Sequence, residues 1–265
     1  MENKSFTLID EALASIDEVK AVCLGGSRGL GIANTNSDYD YVIFHRGEKR
    51  VTASKISEVI SPILDEAEFL DTGDLKFGTI KNSKIEIFHK SIDLIENEIK
   101  RAKEGKFNIS IRPLYPHGFI SSSILSHVAY LEICNEKNDC ITNFKKMITP
   151  IPEILKRSLI KYFHNQAAIS IVHLKKINKP SENFYAATIC SAYFFYLNVV
   201  ILAKNNIYPL IEKSGSDLVY TKCSGPNNYK ARVDDTFLSI SQSNYKKVIE
   251  QIESIQNEVT KLLAS

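Results

Sequence analysis

The chain has 265 residues, 44% of them hydrophobic, and a formal net charge of +2, enough apolar content for a sizeable core and too little net charge for a disordered polyelectrolyte. Its five cysteines are scattered and never spaced Cys-x-x-Cys, which excludes a disulfide framework and a zinc ribbon. The charge is uneven: residues 1–100 hold 12 Lys and Arg against 18 Asp and Glu, net −6, while residues 141–180 hold 8 against 1, net +7.

In chain order, Phe6, Leu8, Ile9, Ala12, Leu13 and Ile16 recur at helical spacing and predict a helix over 6–18. Asp10 and Glu11 stand where an export signal would be apolar, so a cytoplasmic protein is expected. A strand over 20–24 follows and runs into Gly25-Gly26-Ser27, where missing Cβ atoms would let backbone N–H groups approach an anion. Asn34-Thr35-Asn36-Ser37 breaks the chain before a second strand, Asp38-Tyr39-Asp40-Tyr41-Val42-Ile43-Phe44. On that strand Asp38 and Asp40 share a face, and two carboxylates side by side repel unless a cation lies between them.

Residues 51–64 read as an amphipathic helix through Ile56, Val59, Ile60 and Ile63. Strands over 75–80 and 84–88, joined by Lys81-Asn82-Ser83, read as a hairpin. In the second, burying Ile85 and Ile87 on the helix-covered side turns Glu86 to the opposite face, where the aspartates are expected. His45 and His89, each after a phenylalanine, close the two carboxylate-bearing strands and are expected at the edge of that face or as strand-end caps. From Ser91 the pattern is helical: a helix to Lys103, one over 119–134, and a long one over 153–176 with Ile154, Leu155, Leu159, Phe163, Ala167 and Ile171 on one side. Residues 186–203 carry no charge over 18 positions, the lower limit for a membrane span, but Thr188, Ser191, Tyr193, Tyr196 and Asn198 favour the centre of a helical bundle. The last helix carries Val248, Ile252, Ile255, Val259 and Leu262 on one stripe.

The glycines invite two family readings. Gly25-Gly26-Ser27-Arg28-Gly29-Leu30-Gly31 after an apolar strand resembles the cofactor turn of short-chain dehydrogenases, which implies NAD(P). That reading needs a helix of some ten residues after the glycines and a Tyr four positions before a Lys; the break at 34–37 is too early, and none of the 12 tyrosines has that spacing. The whole run instead resembles the nucleotidyltransferase superfamily: Gly26-Ser27, then Asp38-Tyr39-Asp40 on a strand, then a third carboxylate, Glu86, on a later strand. The helical half, through Tyr196-Leu197-Asn198-Val199-Val200-Ile201-Leu202-Ala203-Lys204 and the following Ile207-Tyr208-Pro209, more faintly resembles bacterial nucleotidyltransferases of the antibiotic-inactivating type.

The resemblance implies an α+β protein: a small mixed-sheet catalytic domain over 1–105, then a helical bundle domain over 106–265. It implies transfer of a nucleoside monophosphate from an NTP to a hydroxyl, releasing pyrophosphate. Asp38, Asp40 and Glu86 are the expected catalytic residues and ligands of Mg²⁺ or Mn²⁺, a carboxylate-only set that suits those ions better than zinc. Gly25, Gly26, Ser27 and Arg28 are expected to hold the phosphates, joined by Lys161 and Lys213; Lys156, Arg157 and Lys204 are further candidates. The expected acceptor is a small hydroxylated molecule of aminoglycoside type. The alternatives are a tRNA or protein acceptor, and a non-catalytic nucleotide sensor. The basic segment lacks the interleaved aromatics of a single-strand platform, so nucleic acid is not favoured. No membrane partner is expected, and the chain is read as a monomer or homodimer.

Overall fold

The computed structural model describes residues 2–47, 51–68, 75–80, 83–112, 115–210 and 213–264. It divides into two compact units, one of residues 1–101 and 124–149, the other of residues 102–123 and 150–265. The break expected at 105/106 falls four residues beyond the first division, and 124–149 returns to the first unit.

The first unit contains α1 (Glu2–Ala14), β1 (Val19–Leu24), the single turn α2 (Gly26–Gly29), β2 (Tyr39–His45), α3 (Ala53–Ile60), β3 (Glu66–Glu68), β4 (Leu75–Ile80), β5 (Ser83–Ser91) and most of α4 (Ile92–Lys103). The second unit takes the hairpin of β6 (Ile109–Arg112) and β7 (Tyr115–Ile120). The chain then adds α5 (Ile124–Ala129), β8 (Glu132–Glu136) and α6 (Cys140–Ile148) to the first unit. The rest of the second unit is α7 (Glu153–Leu174), α8 (Asn183–Lys204), α9 (Lys213–Thr221), α10 (Tyr229–Ser241) and α11 (Tyr245–Ala264).

The first unit is built on a mixed six-stranded sheet in the order β3-β4-β5-β2-β1-β8. β2 and β5 run parallel, and every other neighbouring pair is antiparallel. The antiparallel β1–β2 pair removes the dehydrogenase reading, because a dinucleotide-binding crossover joins parallel strands. One sheet face is closed by α1 and the α3 region: Ile9, Leu13, Val22, Tyr41, Ile43, Ile56, Ile60, Ile85 and Ile87 form one buried cluster. Ile85 and Ile87 are each 1% exposed. Slipping β5 by one residue would strip both, at about 1.5–3 kcal/mol each, and drive Lys84 and Glu86 into that core. The alternation therefore fixes the polar side chains on the opposite face.

Four strands depart from the sequence reading. The helix expected over 119–134 is instead the end of β7, a 3-10 turn, the short α5 and β8. Ile120, Ile124, Leu125, Val128 and Leu131 do keep helical spacing, but Glu132–Glu136 finds a ladder on β1, and long-range pairing overrides the local period. β3 and the β6–β7 hairpin were not expected either. The β4–β5 hairpin forms as expected, its residues 81 and 82 lying outside the described set.

The edge strand β8 also starts the next helix. Glu136 accepts hydrogen bonds from the Ile141 and Thr142 amides, at 2.8 and 3.0 Å, and from the Thr142 hydroxyl. Burial would raise its pKa, but these bonds outweigh burial and lower it. Glu136→Ala should cost about 0.5–2 kcal/mol at neutral pH, the usual value of a lost cap. A lowered carboxylate pKa contributes stability present above the unfolded-state value and lost as pH falls through the folded one. Urea titrations should show the variant converging on the parent in acid; a pH-independent difference would discount the ionic cap.

In the second unit α7 buries Leu155, Leu159, Phe163, Ala167 and Ile171 on one stripe, while Ile154 is exposed. α8 is long and apolar enough to cross a membrane by length and composition, yet 56% of its most apolar window is buried within the protein. Its polar side chains bond inward: the Tyr193 hydroxyl donates to the Ile252 carbonyl at 2.9 Å, and Asn198 bonds Ser216 and Tyr229.

Candidate active site

Asp40 and Glu86 are register partners on the parallel β2–β5 pair, so their side chains leave the same face of neighbouring strands. Asp38 lies two residues before Asp40, just ahead of β2 and exposed. Extending the register by one step past Tyr39–Ile85 sets Asp38 beside Lys84. Asp40 and Glu86 thus share one sheet end and one face, and Asp38 lies just ahead of that end.

The glycine turn is tied to that end. The Gly25 amide donates to the Asp40 carbonyl at 2.7 Å, extending the β1–β2 ladder past the end of β1. Gly26 has φ +56°, and a Cβ built there would stand 1.7 Å from Asp40 Oδ2. Only glycine leaves room for the carboxylate. Ser27 follows, part-buried, in α2, where the first amides of a helix have no acceptor in a preceding turn and are oriented for an anion.

Arg28 is engaged in holding the loop. Its Nε donates to the Asp38 carbonyl at 3.1 Å and Nη2 to the Ser37 carbonyl at 2.7 Å, with the guanidinium carbon 3.6 Å from the Tyr39 ring centroid. These contacts fix the entry of the aspartate strand.

Lys84 escaped the sequence reading. Its Nζ is ion-paired with Glu86 Oε1, and the Glu86 side chain is 16% exposed against 46% for Lys84. The Lys84 pKa is raised above the ordinary lysine value, chiefly by the hydrogen bond to Glu86, which outweighs the burial penalty and is joined by the charges of Glu86, Asp38 and Asp40. Strand alternation carried the signal: Lys84 is two residues from Glu86 and so leaves the same face.

His45 and His89 lie elsewhere. Both are buried, their rings 6.3 Å apart. His45 shares the alternation of Tyr41 and Ile43, and His89 that of Ile85 and Ile87, which turns both from the carboxylates. Among the basic candidates, Lys161 is exposed on α7, and Lys213 is the first residue of α9 with its side chain outside the described set. Lys156 donates to Asn206 at 3.0 Å and Arg157 pairs with Glu153 at 2.9 Å, both within the second unit.

Three carboxylates supply hard oxygen donors of the kind Mg²⁺ and Mn²⁺ prefer, and the space beside Gly26 keeps one of them clear of the backbone. The residues fit such an ion, although among the described residues no three His, Cys, Asp or Glu are drawn together as a ready-made metal cluster. Glu86 instead turns its carboxylate to Lys84.

Residues 8–115 match the model of the nucleotidyltransferase domain family, a span that includes the glycine turn, both aspartates, Lys84 and Glu86. Comparison with curated proteins gives no match. Among solved structures, a nucleotidyltransferase-like protein from Exiguobacterium sibiricum is 12% identical with a TM-score of 0.44, over 99% of this chain and 78% of that one. A spectinomycin adenyltransferase from Enterococcus faecialis, solved with ATP and spectinomycin, is 15% identical with a TM-score of 0.36, over 98% of both chains.

Proposed function

We propose that the nucleotidyltransferase domain carried by this chain moves a nucleoside monophosphate from an NTP to a hydroxyl of a small molecule, releasing pyrophosphate. The observation that carries this reading is the register of Asp40 with Glu86 on the face where Gly26 meets the Asp40 carboxylate. In the transfer the acceptor oxygen forms a bond to the α-phosphorus, the bond from that phosphorus to the bridging oxygen breaks, and pyrophosphate leaves with the electron pair. Gly25, Gly26 and Ser27 hold the β and γ phosphates, and Arg28 keeps the Asp38 backbone in place beside them. Glu86 takes the acceptor's proton. Asp38, Asp40 and Glu86 would hold Mg²⁺ or Mn²⁺, and the bound cation would supply charge stabilisation of the phosphoryl oxygens. Lys161 and Lys213 remain proposed phosphate contacts from the sequence alone. The aminoglycoside-type acceptor rests on the length and two-domain layout, which suit the antibiotic-inactivating type, and on the sequence resemblance of the helical half.

The test is incubation with each labelled NTP, Mg²⁺ and separate pools of hydroxylated antibiotics and total tRNA, following pyrophosphate release and label on the acceptor. Transfer to tRNA alone would move the acceptor class, and binding without transfer in any pool would favour a nucleotide sensor. Thermal shift gives the simpler check. Mg-ATP or Mg-GTP at about 100 times its Kd should add ~2.7 kcal/mol to stability, and NADPH nothing. Stabilisation by NADPH, with none by Mg-NTP, would overturn the reading.

A further inference from the structure

On β5, Lys84 lies at the same sheet end as the carboxylates and engages Glu86 directly, while Lys90, of the same alternation, lies at the other end of the strand. Glu86 stands beside Asp40, and Lys84 lies one position beyond the last register pair, Tyr39 with Ile85, on the side from which Asp38 enters the strand. Glu86 is the more buried member of its ion pair, so without Lys84 its charge would face both aspartates from a poorly hydrated position. A divalent cation that uses Glu86 as a ligand must compete with this ion pair.

We propose that Lys84 is an internal counter-cation: it holds Glu86 and balances Asp38 and Asp40 in the metal-free protein, and it releases Glu86 when a divalent cation and nucleotide bind. The inference deepens the proposed function and rests on it, because it supposes that these carboxylates hold metal. Lys84 is then a positioning residue. It keeps the carboxylates from repelling one another before the metal arrives and lowers their affinity for metal without nucleotide. Once released, its ammonium lies beside the incoming phosphates.

The test is Mn²⁺ binding to the whole chain without nucleotide, read as loss of the free-ion electron paramagnetic resonance signal, for the parent, Lys84→Met, Lys84→Arg and Asp40→Asn. Lys84→Met should bind Mn²⁺ about 10-fold more tightly than the parent, within the usual range of coupling between two sites. Its thermal midpoint without metal should be lower, and Mn²⁺ should restore it. Lys84→Arg keeps the charge and should resemble the parent in both measurements. Lys84→Gln, polar and uncharged, repeats the test if the Met variant is poorly soluble. Unchanged or weaker Mn²⁺ binding by both uncharged variants would overturn the counter-cation, even if the parent binds metal and Asp40→Asn does not. Equal, negligible binding by the parent and Asp40→Asn would overturn the metal site itself and the counter-cation with it.

Discussion

Asp40→Asn should lower nucleotidyl transfer by about 10³-fold or more while leaving the fold intact, on the scale lost when an electrostatic stabiliser is removed from an active site. The asparagine has the shape of the aspartate, so it fits beside Gly26, and the bond from the Gly25 amide goes to the residue-40 carbonyl, which is unchanged. What disappears is one negative charge beside Glu86 and its partner Lys84. Removing it relieves repulsion of Asp38 and Glu86 but weakens the attraction for Lys84, so the metal-free midpoint should stay level or rise slightly. Mg²⁺ should lose its effect on NTP binding in the same variant. Denaturation and steady-state rates on one preparation separate the possibilities. A stability loss beyond ~2 kcal/mol would identify a structural aspartate in a hydrogen-bond network rather than a ligand awaiting metal.

The face that carries this chemistry was legible because strand alternation is strict. Burying Ile85 and Ile87 leaves Glu86 no other side, and Tyr41 and Ile43 do the same for Asp40. The same parity turns His45 and His89 inward and makes Lys84 a neighbour of Glu86, although the sequence reading set the histidines at the edge of the carboxylate face or as strand-end caps and passed over Lys84. The antiparallel β1–β2 pair was legible as well, since the ten residues from Ala33 back to Leu24 leave no room for a crossover helix.

What could not be read locally is pairing between distant segments. β8 lies more than a hundred residues from β1, and its sequence, Glu-Ile-Cys-Asn-Glu, has too little periodicity to declare an edge strand. Its upstream neighbours Ile124, Leu125 and Val128 are indeed helical, which is why the whole stretch read as one helix. Arg28 illustrates a second limit. A basic side chain in a phosphate-binding turn suggests a phosphate contact, but its carbonyl partners at Ser37 and Asp38 are set by how the loop between β1 and β2 folds back, a property with no local signature.

Gly26→Ala should be nearly as damaging to activity as the loss of Asp40, and for a reason that a second glycine isolates. At Gly26 two penalties coincide: φ is +56°, which an alanine adopts only with strain, and the new Cβ would fall 1.7 Å from Asp40 Oδ2 and 2.7 Å from its Cγ. The backbone on both sides is fixed, by the Gly25 bond to the Asp40 carbonyl and by Leu30 bonding back to Gly26, so the Asp40 carboxylate must rotate away. A displacement of that size at a positioned group costs on the order of 10²-fold or more in rate. Gly31 has φ +66° but nothing within 4 Å of a Cβ, so Gly31→Ala carries the backbone strain without the collision. Both variants should lose about 1–3 kcal/mol of stability to the left-handed conformation. Only Gly26→Ala should also lose transfer and metal-dependent NTP binding. Adding Asp40→Gly to Gly26→Ala removes the colliding carboxylate and should recover part of the stability while leaving the enzyme inactive. If Gly31→Ala were equally inactive, or if Gly26→Ala kept its rate, the close approach of Gly26 to Asp40 would have no part in holding the catalytic carboxylate.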